Sequence, residues 1–315
     1  MTSPSEPSPS ATGSVVDRRS DDVANIVAFE HVNVFVPDFE LATVFYVNGL
    51  GLTRDPYIDL GPSLMWINAG AQQFHLPKGD PQVLRGTIHL RVPDLGRLQA
   101  RLARIAPVLA GTRFSFTASS PGGRAEIAVT GPWGNRFVCR QTPVGASMAV
   151  GMDAVEFPVR SGAAAGIGRF YQQVMGARVS VAAGECRVTV GPGQTLRFVE
   201  TADPIADYDG HHLAVYLATV SAPHQWLVER GLVIEETDDH QFRFTAVVDP
   251  DTGEQLFEIE HEVRSLHHHL FGRPLVNRNP DQTLPAYVPG ADALLPASPA
   301  PATERPERDP LTLVG

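Results

Sequence analysis

Two stretches of this chain open in the same way. "HVNVFVPD" at 31–38 and "HLRVPD" at 89–94 each begin with a histidine, run through apolar residues and stop at Pro-Asp. "HLAVYL" at 212–217 repeats the opening, and "QQFHLP" at 72–77 adds His75. An imidazole is neutral or nearly so at pH 7, where it can ligate a divalent cation or pass a proton. A single strand histidine is more often a satisfied polar residue than a ligand, so recurrence is what raises these positions. The other candidates are weaker. "SLHHHLFGRP" (265–274) holds consecutive histidines, which do not share one face and point to a surface or a subunit contact. "EHEVRS" (260–265) reads as a solvated strand edge with an ion pair involving Arg264. "PGGR" (121–124) lacks the strand–loop–helix context of a phosphate cradle and reads as a hairpin turn.

The elements that position these histidines repeat along the chain. "FEHVNVFV" (29–36) has the β-branched content of a strand. Pro-Asp then starts a helix in "FELATVFYVNGLGL", whose Leu41, Val44, Phe45 and Leu50 recur at helical spacing until Gly49 and Gly51 end it. Strands follow around 53–58, 63–69 and 72–77. The same order recurs from "TIHLRV" (87–92) with the helix "DLGRLQARLARI" (94–105), from "DAVEFPV" (153–159) with "AAAGIGRFYQQVMGA" (163–177), and from "HHLAVYL" (211–217) with "PHQWLVERGL" (223–232). The chain thus carries four βαβββ units, paired into two halves. His31 falls on Ala154, His75 on Phe198 and His89 on His212, all at an offset of 123, which indicates duplication.

Composition sets outer bounds. The chain has 315 residues, 43% hydrophobic and 19% charged, which is ordinary for a globular protein. A net charge of −10 without a dense Lys/Arg run argues against a nucleic-acid surface, and no apolar stretch is long enough to span a membrane. The start, "MTSPSEPSPSATGS", lacks the form of a signal peptide. Cys139 and Cys186 lie one in each half, so no disulfide framework is indicated, and a reducing cytoplasm is the expected compartment. The expected organisation is a disordered N-terminus (1–26), a first domain of two units (27–142), a linker "QTPVGAS" (141–147), a second domain of two units (150–264), and a mostly irregular C-terminal extension (265–315). Monomer and homodimer both remain open.

The four-unit pattern resembles the vicinal oxygen chelate (VOC) superfamily of glyoxalases, bleomycin- and fosfomycin-resistance proteins and extradiol dioxygenases. The resemblance covers about 27–262. Its most specific local sign is the turn into each half's last strand, "GPWGNRF" at 131–137 and "DPDTGEQLF" at 249–257, where the family favours Asp-Pro-x-Gly-Asn. It implies an α+β fold in which two units curve an open sheet around a cup, with a divalent metal bound by the first and last strands of each unit. In the first half those positions are His31, His75, His89 and Val138; in the second they are Ala154, Phe198, His212 and Glu258 or Glu260. Glu156 shares a strand face with Ala154 and could substitute. The resemblance therefore implies a first-half centre of His31, His75 and His89, with His212, Glu258 and Glu260 as secondary candidates and a degenerate second cup. Trp66, Phe74, Phe137 and Val138 could line the first cup against a substrate. Fe(II) is the favoured ion, with Zn, Mn or Ni as alternatives.

The expected activity is that of a metal-dependent enzyme acting on a small oxygen-bearing molecule, with a non-haem Fe(II) dioxygenase favoured. A lyase or isomerase, or a metal-free drug-binding protein, are the alternatives. If neutral imidazoles hold the ion, its affinity should fall below about pH 6.5.

Overall fold

The computed structural model describes residues 22–55, 63–144, 146, 148–273 and 275. The expectations for the far N-terminus, for 56–62 and for 276–315 lie outside these residues.

Among the described residues sixteen strands and four α-helices follow the repeat. The first unit holds β1 (Ile26–Asn33), α1 (Phe39–Ala42) running on as a wider π-type turn (Thr43–Gly49), β2 (Thr53–Arg54), β3 (Leu64–Ala69) and β4 (Gln72–Pro77). The second holds β5 (Thr87–Val92), α2 (Leu95–Ile105), β6 (Ser115–Ser119), β7 (Glu126–Thr130) and β8 (Arg136–Gln141). In the third come β9 (Gly151–Arg160), α3 (Ala163–Arg169) with a π-type end (Phe170–Val174), β10 (Arg178–Ala182), β11 (Glu185–Gly191) and β12 (Gln194–Thr201). The fourth has β13 (His212–Leu217), α4 (Ser221–Val228), β14 (Val233–Thr237), β15 (Gln241–Val248) and β16 (Gln255–Ser265). The aspartates of both Pro-Asp turns do what such residues do at helix starts. Asp38 accepts from the amides of Glu40 and Leu41, and Asp94 from that of Arg97.

Strand pairing departs from the expected organisation. One eight-stranded sheet runs β14-β15-β16-β13-β1-β4-β3-β2, the other β10-β11-β12-β9-β5-β8-β7-β6. Each sheet therefore joins one unit from each half: the first unit pairs with the fourth, and the second with the third. In both sheets two first strands meet antiparallel, β1 with β13 and β5 with β9. Because every unit presents the same strand edge, the hydrophobic pattern fits either pairing. The adjacent second and third units take one sheet and leave the outer two for the other.

Each sheet keeps a polar cup face and an apolar face. On the apolar side one core spans both sheets. Phe74 of the first sheet and Phe137 of the second lie 6.1 Å apart and both pack on Tyr46. Tyr171 likewise meets Phe198 and His261, and its hydroxyl donates to His261 Nε2 over 2.7 Å. His261 Nδ1 donates to the Ile259 carbonyl, so this fully buried histidine is satisfied on both nitrogens. Among the described residues no helix is long and apolar enough to cross a membrane.

Candidate metal centre

The centre begins with an irregularity in β1. Phe29 pairs with Val215 and His31 with Ala214, so Glu30 is an extra residue opposite β13. Such a bulge lets neighbouring side chains share a face. Glu30 Oε2 consequently accepts from His31 Nδ1 at 2.9 Å. The carboxylate fixes the tautomer, leaving the lone pair on His31 Nε2 directed inward. Burial holds the His31 pKa well below its ordinary value, with the pull of Glu262 and the push of Arg264 as lesser effects, so the ring is neutral.

Across β1 stands β13, and His31 Nε2 lies 3.3 Å from His212 Nε2. Next to β13 runs β16, whose Glu262 Oε2 lies 3.5 Å from the same His212 nitrogen. Among the described residues these three form the group whose ligand atoms all fall within 4.8 Å of one another, and all three are buried. Burial disfavours the Glu262 carboxylate, but Arg264 and the His212 contact outweigh it and hold its pKa well below the carboxylate range. Arg264 bridges Glu262 and Glu30, and so ties the carboxylate of this group to the one that orients His31.

The donor set fits a divalent cation. Ligands about 2.1 Å from one ion stand about 3.0–3.4 Å apart, close to the two separations of 3.3 and 3.5 Å around His212 Nε2. A lone pair on His31 Nε2 facing a second ring nitrogen calls for a cation or a proton between them, and a histidine ligand whose other nitrogen donates to a carboxylate is the common arrangement around metals. Arg243 also reaches this point. It donates to Glu262 Oε2 at 2.5 Å and to Glu260 Oε1 at 2.8 Å, and its side chain is 23% exposed. Carboxylate oxygens carry more than one lone pair, so Glu262 can serve both partners.

The sequence-derived candidates divide. His31 and His212 converge, joined by Glu262. His75 instead stacks face-on against His31, centroids 3.6 Å apart, and on its other side against Trp66 at 3.8 Å. Nitrogen lone pairs lie in the ring plane, so near-parallel rings aim them along lines that do not meet; His75 Nε2 bonds Gln73 Oε1. His89 does not face His31 across one cup. Its strand lies in the other sheet, between β8 and β9, opposite Val138 and Ala154. There Arg140 donates to His89 Nδ1, while Nε2 is buried without a hydrogen bond, 3.8 Å from Glu156. Burial first and Arg140 second lower the His89 pKa to about 4.

Of the expected substrate contacts, Trp66 is on the cup face. Phe74 and Phe137 belong to the core on the opposite face, as strand alternation beside His75 requires, and Val138 lies in the second sheet beside His89. Glu258 is exposed, Glu260 flanks His212 Nδ1 at 3.4 Å, and Glu262 was missed. Its signal was the alternation Glu258, Glu260, Glu262 along one face, obscured by taking "EHEVRS" for a solvated edge. That segment is a central strand, with Arg264 5% exposed. A cleft of about 760 Å³ adjoins the centre along β1; Glu30, Gln73, Tyr216, Phe271 and Arg273 are among its walls, but none of the three converging ligands is.

No protein-family model and no curated protein sequence matches the chain. Solved structures do. A "putative dioxygenase" from Bacillus subtilis superposes with a TM-score of 0.52 at 14% identity, covering 80% of this chain and 92% of that one. Glyoxalase I from Zea mays gives a TM-score of 0.54 at 13% identity, covering 78% and 97%. At such identities the likeness speaks for the fold, and it agrees with the repeat and the open sheets: the chain has the α+β fold that these glyoxalase and dioxygenase structures share.

Proposed function

We propose that this protein is a metal-dependent enzyme acting on a small molecule that presents neighbouring oxygens, and that His31, His212 and Glu262 hold its metal. One observation carries the reading: two imidazoles and one carboxylate, from β1, β13 and β16, converge within 4.8 Å in a buried cup. Two histidines and one carboxylate are the ligand set of non-haem Fe(II) oxygenases, so Fe(II) is favoured and a dioxygenase is the preferred class. Such an ion, held by His31, His212 and Glu262, would supply a Lewis acid and a redox centre. The chain's own groups have separate tasks. Glu30 orients His31, Arg243 offsets the charge of an anionic substrate, and Glu260 takes a proton from a substrate hydroxyl.

A lyase or isomerase is the second reading, favoured by Glu260. A carboxylate base in the cup is what proton-transfer chemistry on a polarised carbonyl needs, and the sequence-derived positions of the first half had none. The test is metal analysis of the purified protein and of His31→Ala and His212→Ala, followed by anaerobic Fe(II) loading and O2 uptake with a panel of catechols. Stoichiometric iron lost in both variants, with O2 consumed, supports the oxygenase. Zinc, nickel or manganese without O2 uptake favours the second reading. A protein that takes up no metal overturns both and leaves a metal-free binder.

A further inference from the structure

The bulge that brings Glu30 onto His31 is held from the other sheet. β4 pairs with β1 only over His31–Asn33, so on that side Phe29 has no strand partner. The side chain of Gln194, at the start of β12, takes the vacant place. Its Oε1 accepts from the Phe29 amide and its Nε2 donates to the Phe29 carbonyl, both at 3.0 Å. Phe29 is the residue immediately before the extra Glu30. The hairpin that delivers the amide is shaped for it, since a Cβ on Gly191 would lie 1.9 Å from Gln194 Oε1.

The second and third units contain the same device without the ligands. β12 pairs with β9 only from Ala154 onward, and Met152 and Ala154 oppose Leu90 and His89 with Asp153 as the extra residue. Gln72, from the first sheet, accepts from the Met152 amide at 2.6 Å and donates to its carbonyl at 3.0 Å. Two reciprocal glutamines thus lock the two sheets together, and each fixes the residue before a bulged acid. Only Gln194 fixes a bulge that leads to a histidine of the triad.

We infer that Gln194 is a positioning residue of the metal centre. By holding both main-chain groups of Phe29 it sets the bulge that turns Glu30 onto His31 Nδ1, and so sets the tautomer and aim of a ligand. The inference rests on the proposed triad of His31, His212 and Glu262. Gln72 makes the matching clamp where no triad exists, and so supplies an internal control.

The experiment titrates Co(II) into the parent, Gln194→Met and Gln72→Met, reading affinity and the visible absorption of the bound ion, with thermal unfolding in EDTA alongside. Methionine keeps the volume and removes both hydrogen bonds. Each variant should lose a similar amount of thermal stability, because each leaves a buried N–H and C=O unpaired. Gln194→Met should bind Co(II) about tenfold more weakly with a changed spectrum, the scale of losing an outer partner of a ligand. Gln72→Met should keep the parent's affinity and spectrum. Gly191→Ala, whose Cβ would displace the amide and also strain the hairpin at φ +149° beside Ala28, should reproduce the Gln194→Met spectrum if Gln194→Met folds poorly. If the two methionine variants behave alike towards Co(II), or if Gln194→Met and Gly191→Ala keep the parent spectrum, this inference falls and the metal reading stands. A parent that takes up no Co(II) overturns both.

Discussion

Replacing Glu262 by glutamine tests which of three glutamates completes the centre. Glu258, Glu260 and Glu262 alternate on one face of β16, but their surroundings differ: Glu258 is exposed, while the Glu260 and Glu262 side chains are 18% and 3% exposed. Glutamine keeps the shape and removes the charge. In the metal-free protein this breaks the buried Glu262–Arg264 pair, in which both side chains are at most 6% exposed. Losing one partner of such a pair costs about 3–5 kcal/mol. Arg264 retains Glu30 and Arg243 retains Glu260, which places the cost at the low end, about 3 kcal/mol. For a folded region of this size that is a fall in Tm of about 6–12 °C. Metal affinity should drop more than about 100-fold, beyond the range for an outer partner, because an amide replaces an anionic ligand. Isothermal titration with anaerobic Fe(II), paired with thermal unfolding in EDTA, reads both quantities. Glu258→Gln should change neither. If Glu262→Gln binds metal like the parent while Glu260→Gln does not, the ligand assignment is off by one pleat.

Three further outcomes follow from other buried side chains. His75→Phe keeps the stack between Trp66 and His31 and should retain the parent's metal stoichiometry; loss of the metal would restore His75 as a ligand. Cys139 and Cys186 are fully buried, and burial pushes both thiols up to about 12, so neither should react with a thiol reagent at pH 8 until urea is added. Stoichiometric labelling of the native protein would contradict that. Metal-free stability should fall with acid. His89 and His261 have folded pKa values of about 4, both from burial, against about 6.5 unfolded. The unfolded state therefore binds more protons between those values, and stability present above pH 6.5 is lost as pH falls through the window. Together they remove about 4 kcal/mol by pH 5, before ordinary carboxylates titrate. A urea midpoint unchanged between pH 7 and pH 5 would sink this account.

Much of this was legible in the sequence, and the failures share a cause. Local signals carried well: the Pro-Asp helix starts, the strand runs and the offset between His89 and His212 all reflect short-range chemistry or duplication. What the sequence did not settle was which unit pairs with which. Four units with the same edge allow either scheme, and the choice moves His89 from one cup to the other. His212, secondary by sequence, thereby becomes the partner of His31. Adjacent residues also hid the bulge, because strict alternation would send Glu30 away from His31. Gln72 and Gln194 gave no sign of their clamps, which exist only between sheets.

The two cups share a scaffold but not a charge pattern, and this bears on how many ions the chain can hold. Where the first sheet sets Glu30 and His31 on its bulge, the second sets Asp153 and Ala154. His212 with Glu260 and Ala214 with Glu262 become His89 with Val138 and Arg91 with Arg140. Arg140 thus stands where the carboxylate ligand would be, and donates to His89 Nδ1 at 3.0 Å. A divalent ion on the far nitrogen of that ring would be repelled by the guanidinium, which Glu126 and Glu156, both already paired with arginines, only partly offset. The rest of that cup is a lattice of ion pairs in which Arg91 meets Asp153, Arg197 is shared by Glu156 and Glu185, and Arg187 is the second partner of Glu185. Metal loading should therefore stop at one ion per chain. His89→Ala should leave that single equivalent in place, and His212→Ala should abolish it. A second equivalent, lost with His89, would show that a fixed internal cation does not exclude a metal from this fold.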